Sequence, residues 1–567
     1  METIAYQYEN RFIRHRSFHY IFPPMIGMLF AQIAPVVDGV CVSGAMGEEA
    51  LAALSTVGPI NYVLNAISAL GGIGCGVVLS RCSGAGEKAR AARVFTRSFL
   101  LMVTVTLVLS ACCAVFVDPL LRLLCATPEN YSYAREYLLV MLAGSVFMVL
   151  NFAGDYILAN DNNQNLAMAG DIVGAVVNMA VDFIGVYVFH YGIGVVAFGT
   201  VFGSFCCCLV YLLHFRKPDR LCRFVLPKRL EGDPGLTGIV KPGAAEAIMY
   251  CMYAAQLLIQ NYVLREDAGT SGLGNSAVIE NLMLVITIII AGATDAIFPL
   301  ASVYCGEQNR SGMLMVKRLL TKIGFLMLLP FVVILCVFPQ LSILPYSIDN
   351  PVMLKSLPFA IRLVCISSLI TLIDTLLIDY LSAIEEEGKA NLAFIIQGLT
   401  QISLTLLLNR WFPMDAPWYA AMLASFVVLV YLCFFCNRLP RGIRRFHQEN
   451  LLLLTGGKLS SAQAESWKSD ARGILTEAQM KLVDKKMLSP LLASVPDDAS
   501  PDSTFTILER EDGRRAVILR YESKKDYIGP EQNISELDED ETEVSPDVCV
   551  RSEFLGARRL MIVLSGQ

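Results

Sequence analysis

The chain has 567 residues, of which 55% are hydrophobic and 17% charged, with mean hydropathy +0.54 and a formal net charge of −6. Soluble domains carry about 25% charged residues, so this composition excludes an ordinary soluble protein and identifies a polytopic membrane protein. The acidity is local: roughly 30 basic and 30 acidic residues precede position 450, and about 15 and 21 follow it.

An apolar stretch of about 20 residues can cross the hydrocarbon. Twelve such stretches are predicted, at about 19–43, 51–80, 96–117, 134–158, 166–189, 193–214, 237–263, 273–302, 320–339, 354–383, 390–409 and 417–437. The first apolar run continues into a full-length span, so no cleavable signal peptide is expected. Alternate connections concentrate Arg and Lys: Arg11, Arg14 and Arg16; Arg81 to Arg97; Arg216 to Lys241; Arg310 to Lys322; Lys389; and Arg438 to Arg445. That side carries about 24 basic residues against about 6 on the other, which by the positive-inside bias puts both termini in the cytoplasm.

The two halves echo each other. SRCSGAGEKARAARVF follows the second span and SVYCGEQNRSGMLMV the eighth; NDNNQNLAMAGDIVGAVVN follows the fourth and EEEGKANLAFIIQGLTQ the tenth. The pairs Gly86/Gly306 and Asn165/Asn391 are offset by about 220 residues, as expected of two six-helix halves in parallel repeat. This gives an N-lobe over 1–218, a linker over 219–236, a C-lobe over 237–440 and a cytoplasmic extension over 441–567.

In the extension, Leu475 to Leu492 suits a helix, with Thr476, Glu477 and Gln479 at its start. TFTILERE, then Asp512-Gly513, then RRAVILRYE reads as a hairpin with a two-residue turn. After an acidic run (SELDEDETEVSPD) comes a last apolar strand, RRLMIVLSG, so a small α/β domain is expected. The 17 cysteines lie mostly in apolar segments and read as small packing residues. No zinc-ligand spacing appears, and Cys433-x-x-Cys436 sits in a hydrophobic stretch with no His nearby.

The chemistry is concentrated in DIVGAVVNMAVDFIGVYVFHYGIGVVAFGT, residues 171–200. Asn178 and Asp182 are spaced by four, so a helix puts them on one face. Asp38 lies in the first apolar segment. A carboxylate in hydrocarbon costs roughly 3 kcal/mol on insertion scales, so it normally faces a partner or a watery cavity. Hydrogen-bonded interhelical clips are commonly built from amides and hydroxyls; two carboxylates are poor glue because each must be paired or protonated. Asp38, Asn178 and Asp182 are therefore read as a site for a proton or a small cation.

These residues also carry a family resemblance. VVDGVCVSGAMGEEALAALSTVGPI resembles the first loop of the MATE (multidrug and toxin extrusion) transporters, where an Asp-containing helix runs into a Gly-x-x-x-Leu-Ala turn. GAGEKARAARVF resembles that family's Gly-Ala-Gly loop, and NMAVDF followed by GVVAFGT is similar to its Asn, four-spaced Asp, Gly-rich turn and Thr. The resemblance covers about residues 20–437. It implies an all-α fold of twelve transmembrane helices in two pseudo-symmetric six-helix lobes. It also implies a coupling site of Asp38, Asn178, Asp182 and Thr200, as in the prokaryotic DinF-like branch. In the second lobe, Asp374 resembles the acid of helix 10 in the NorM-like branch. The match there is incomplete: Glu246 stands closer to Pro242 than that branch's Glu does to its proline, Tyr250 takes that Glu's place, and Asp379, Glu280 and Asp295 are additional. In the extension, RRAVILRYESKKDYIGPEQ and SEFLGARRLMIVL resemble the last strands of histidine-kinase-like ATPase domains. Neither an asparagine box nor Asp-x-Gly-x-Gly is present, so no nucleotide binding is expected.

Several residues have plainer readings. Glu246 suits the first turn of a helix, where an acid complements the dipole. Glu280, Asp295 and Asp379 read as helix-end acids, Glu385 to Glu387 as a solvated loop, and Tyr250, Met252, Tyr253, Phe147 and Met148 as packing or lipid-facing groups. His190 is assigned no role. No nucleophile with a base, metal motif or phosphate loop is present, so no enzymatic activity and no cofactor beyond the coupling ion are expected. The leading reading is an antiporter expelling organic compounds in exchange for H+ or Na+. A flippase for lipid or polysaccharide precursors, or a membrane-anchored signalling protein with the tail as output, are the alternatives. The expected surroundings are an organic small-molecule substrate, the cytoplasmic membrane and a cytoplasmic protein partner for the tail, with no nucleic acid and a monomeric chain.

Overall fold

In the computed structural model, the residues described are 29–30, 32–76, 78–79, 88–161, 163–216, 222–225, 236–294, 297, 309–346, 348, 350–383, 386–436, 451–458, 460–494, 502–510, 513–522, 549–554 and 557–564. The apolar part is built from helices, because a chain in lipid must satisfy its backbone polar groups within each segment. They are α1 (Gln32–Met46), α2 (Glu48–Gly76), α3 (Lys88–Val115), α4 (Tyr131–Asn160), α5 (Gln164–Phe183) and α6 (Gly194–Tyr211). One continuous helix, Leu236–Thr294, follows, then α9 (Arg310–Val337), α10 (Pro351–Ala383), α11 (Glu387–Leu408) and α12 (Ala416–Cys436). Gly269, at φ 60° and ψ −133°, breaks Leu236–Thr294 into two arms, α7 (236–268) and α8 (270–294).

Ten helices of the described residues are long and apolar enough to cross a membrane, against the twelve spans expected. The difference has two sources. The expected spans 237–263 and 273–302 run together through the Gly269 break, and α1 is shorter than a full span over its described residues.

Buried side chains divide along the chain. One core draws on residues from Val42 to Ile239, with Val57, Leu64, Met102, Leu138 and Ala153 among them. Two others draw almost wholly on residues from Leu264 to Leu432. Within the first half α5 packs along α6 and α6 against α4; α2 lies along the Leu236–Thr294 helix and joins the halves. Glu246 is ten residues inside α7, so it does not stand in a first turn as expected; the helix begins further upstream, at Leu236.

The C-terminal region is α/β, as predicted. Five antiparallel strands, β1 (Leu451–Lys458), β2 (Asp502–Glu509), β3 (Arg515–Glu522), β4 (Cys549–Phe554) and β5 (Ala557–Leu564), stand in the order β1-β2-β3-β5-β4. A helix over Ser461–Asp470 and helical turns from Glu477 to Ser494 pack on the sheet, the latter opened by a capping box between Thr476 and Gln479. Trp467, fully buried, stacks on Phe505 with centroids 5.4 Å apart. The hairpin turn is one residue longer than predicted. Arg510 and Arg514 close a three-residue loop, with Gly513 at φ 79° supplying the left-handed position such a loop needs. Asp512 and the acidic run lie outside the described residues.

Candidate functional site

Asp38 on α1, Asn178 and Asp182 on α5, and Thr200 on α6 are separated by up to 162 positions in sequence, and the fold brings them together. The Thr200 hydroxyl donates to Asp38 Oδ2 at 3.1 Å and accepts from Asn178 Nδ2 at 3.3 Å; the Asp182 carboxyl lies beside Asp38. Asp38, Asn178 and Asp182 are 5%, 4% and 0% exposed. Tyr137 of α4 faces the same group from a fourth helix.

Local sequence explains the close approach. On α5, Gly174, Asn178 and Asp182 recur every four residues, and on α6 Gly199 and Gly203 do the same, so one polar-small stripe meets one glycine stripe. A Cβ on Gly203 would lie 2.5 Å from the Gly174 carbonyl oxygen, and one on Gly199 would overlap Asp182 Oδ1. Only glycine on α6 leaves room for the acid.

The hydrogen-bond balance of the site is uneven. Asp38 Oδ1, Asn178 Oδ1 and both carboxyl oxygens of Asp182 are buried with no donor among the described residues. A buried acceptor left unpaired costs about 1–3 kcal/mol, more if charged. Chemically the group can hold a shared proton between the carboxyls, or an oxygen-liking cation such as Na+.

In the second half Asp374 is 2% exposed, and both of its carboxyl oxygens lack a donor among the described residues. No hydrogen bond of the described residues joins it to Asp38 or Asp182. Other acids face aromatic rings between the halves. Tyr62 of α2 and Tyr253 of α7 have centroids 5.9 Å apart, Tyr250 and Tyr253 6.3 Å, and Phe152 of α4 and Tyr250 5.7 Å. Glu246 neighbours Tyr250 and Tyr253, Asp379 neighbours Tyr253, and Glu280 neighbours Tyr62 and Gln260. These rings, of which Tyr250 and Tyr253 read from sequence as packing or lipid-facing groups, form a row across α2, α4 and α7. Asp295 and Glu385 lie outside the described residues.

Sequence reasoning missed a second acidic group. The single hydroxyl of Tyr211 (α6) faces Asp155 Oδ1 in a short hydrogen bond, and Asn151 Oδ1 and Asp171 Oδ1 each at 3.3 Å. Asp155 and Asp171 fall inside the predicted spans 134–158 and 166–189. The insertion-cost argument that singled out Asp182 applied to them equally.

Comparisons with known proteins bear on the fold of the apolar part. The MatE family model matches residues 23–184. The multidrug export protein MepA of Staphylococcus haemolyticus (strain JCSC1435) is 22% identical over 423 residues, covering 74% of this chain and 93% of the relative. Its namesake from Staphylococcus aureus (strain MRSA252) is 20% identical over 421 residues, covering 74% and 92%. Among solved structures, the inward-facing conformation of a multidrug resistance MATE family transporter of the MOP superfamily superposes with a TM-score of 0.69 at 21% identity, covering 76% of this chain and 99% of that one. A MOP superfamily transporter from Pyrococcus furiosus superposes with a TM-score of 0.63 at 22% identity, covering 75% and 96%.

Proposed function

We propose that the chain, similar to the MatE family model over residues 23–184 and to multidrug export proteins over most of their length, is a MATE (multidrug and toxin extrusion) transporter working as a secondary-active antiporter. In this reading it exports organic compounds, cations among them, across the cytoplasmic membrane in exchange for H+ or Na+. The observation that carries it is the group of Asp38, Asn178, Asp182 and Thr200, with four buried oxygens that no donor among the described residues satisfies. A proton or Na+ entering there relieves that deficit. Ion loading shifts the transporter between its open states only through a difference in affinity for them. Three helices contribute to the group and α4 faces it through Tyr137, so a change in their packing changes that affinity.

The aromatic row supports the substrate half of the reading. Tyr62, Tyr250 and Tyr253 offer ring faces to an organic cation, and Glu246 and Glu280 offer compensating charge. Asp374 is the second-lobe acid of this scheme, and the tail is a regulatory module.

The test uses reconstituted vesicles in which the proton and sodium gradients are collapsed separately while export of a fluorescent cation is followed. Asp182→Asn and Asp38→Asn each abolish gradient-driven export with normal membrane insertion. Undiminished export in both variants defeats the assignment. Lipid flipping without dye export in the same vesicles would favour a flippase instead.

A further inference from the structure

Three side chains outside the coupling group converge at the end of the bundle where α4 and α6 stop. Asp161 caps the C-terminus of α4, His214 lies in the 3-10 turn after α6 (Leu212–Arg216), and Cys222 opens the segment 222–225. They are 7%, 1% and 1% exposed, and a carboxylate oxygen, a ring nitrogen and the sulfur all lie within 4.8 Å of one another. We propose that Asp161, His214 and Cys222 form a binding site for a zinc-like transition-metal ion, which pins the segment after α6 to the end of α4.

The donor set argues for this class of metal. A thiolate and an imidazole select Zn2+ or its neighbours over Na+, Mg2+ or Ca2+, and a carboxylate completes a mixed S, N, O site. Ligand atoms around tetrahedral Zn2+ stand about 3.3–3.7 Å apart, from bond lengths of about 2.0–2.3 Å. His214 Nε2 and Asp161 Oδ2 are 2.6 Å apart, so movements of about 1 Å convert the present arrangement into a coordinating one. Three protein ligands leave the fourth position to water.

The outer partner is also in place. Asn163 Nδ2 lies 2.8 Å from His214 Nδ1. Without metal, the amide donates to Nδ1 and the ring donates its Nε2 proton to Asp161. On binding, the ring proton moves to Nδ1, the amide turns over so that its oxygen accepts it, and Nε2 presents a lone pair. Cys222 gives its proton to solvent, so one proton leaves per metal bound.

The bland alternative is a hydrogen-bonded clip with no metal. Asp161 Oδ2 accepts from the Cys222 backbone N–H at 3.1 Å, Val225 N–H donates to Thr96 Oγ1 at 3.0 Å, and Phe224 packs on Phe95 and Phe99. The first of these uses the backbone of Cys222 and the others use Val225 and Phe224, whereas a metal uses the Cys222 sulfur. Cys222→Ser therefore separates the two readings.

The experiment takes tag-free full-length protein in detergent, strips it with chelator and titrates it with Co2+ and then Zn2+. One equivalent of Co2+ is expected to give a thiolate-to-cobalt charge-transfer band that Zn2+ abolishes, with Zn2+ raising Tm. Cys222→Ser loses the band and the Zn2+-dependent rise, each variant's rise being read against its own metal-free Tm. Should Cys222→Ser fail to fold, Asn163→Ala keeps all three ligands and is expected to weaken Zn2+ binding about 10–100-fold. No band, a band that survives Cys222→Ser, or unchanged Zn2+ affinity in Asn163→Ala overturns the proposal.

Discussion

Gly199 of α6 stands directly against Asp182 of α5: a Cβ at 199 would overlap Asp182 Oδ1 and lie 3.4 Å from Asn178 Nδ2. Gly199→Ala therefore pushes the acid out of its place beside Asp38 without changing any polar group. Overpacking of this kind costs about 1–3 kcal/mol. Ion-driven export is expected to fall at least tenfold with expression and insertion retained. Gly388→Ala, whose Cβ would meet nothing within 4 Å, serves as the control and should transport normally. Equal export by the two variants would show that the Gly199–Asp182 contact is irrelevant to coupling.

Thr200 tests the same group from the donor side. Its hydroxyl donates to Asp38 Oδ2 and accepts from Asn178 Nδ2. Thr200→Val keeps the shape and removes both bonds, leaving one more buried carboxylate oxygen unpaired at about 1–3 kcal/mol. The expected outcome is a shift of about five- to hundredfold in the driving-ion concentration that half-saturates export. Thr200→Ser should keep the native value. A Val variant matching wild type would remove Thr200 from the site.

How far the sequence led can be seen residue by residue. Helix positions were legible because twenty apolar residues in a row have few alternatives. The sequence also separated 237–263 from 273–302, where the backbone turns at Gly269 inside one hydrogen-bonded run. Asp38, Asn178 and Asp182 were legible because charge in oil is conspicuous. Tyr137 and Tyr211 were not: an aromatic residue in an apolar stretch carries no mark of the acids it faces, which arrive from other helices. Asp161, His214 and Cys222 escaped for a similar reason, since 53 and 8 positions separate them and no ligand spacing exists to find. β1 was missed because LLLLTGGK, a run of leucines ending in two glycines, does not alternate, and its partner in β2 lies about fifty residues on.

The tail yields a prediction about stability alone. Trp467 is fully buried and stacked on Phe505 with an interplanar angle of 7°. Trp467→Ala removes the largest side chain of that core and should cost about 3–5 kcal/mol. Proteolysis of the full chain is expected to cut within 451–564 much faster, and hydrogen exchange in β2 and β3 should accelerate. If the tail is regulatory, export persists with altered dependence on conditions. Unchanged protection of β2 and β3 would mean that the stack contributes little.

The two halves are also fastened across one end of the bundle. Thr127 Oγ1 and Thr270 Oγ1 are 2.7 Å apart, Thr270 reaches Glu129 Oε2 at 3.0 Å, and Asn350 Nδ2 donates to Glu48 Oε1 at 2.8 Å and Ser271 Oγ at 2.9 Å. Thr270 and Ser271 directly follow the Gly269 break, so the latch sits where α7 passes into α8. Net hydrogen bonds of this kind are worth about 0.5–1.5 kcal/mol each. Removing them with Thr270→Val or Asn350→Ala should raise the population open at this end about two- to twelvefold per bond lost, without touching the coupling group. Spin labels at positions 123 and 344, both exposed in wild type at 63% and 79%, can report the distance in a cysteine-depleted background. The long-distance component should grow in each variant, and grow further when both changes are combined. Distributions identical to the parent's would mean that packing between α2 and the Leu236–Thr294 helix holds this end shut by itself.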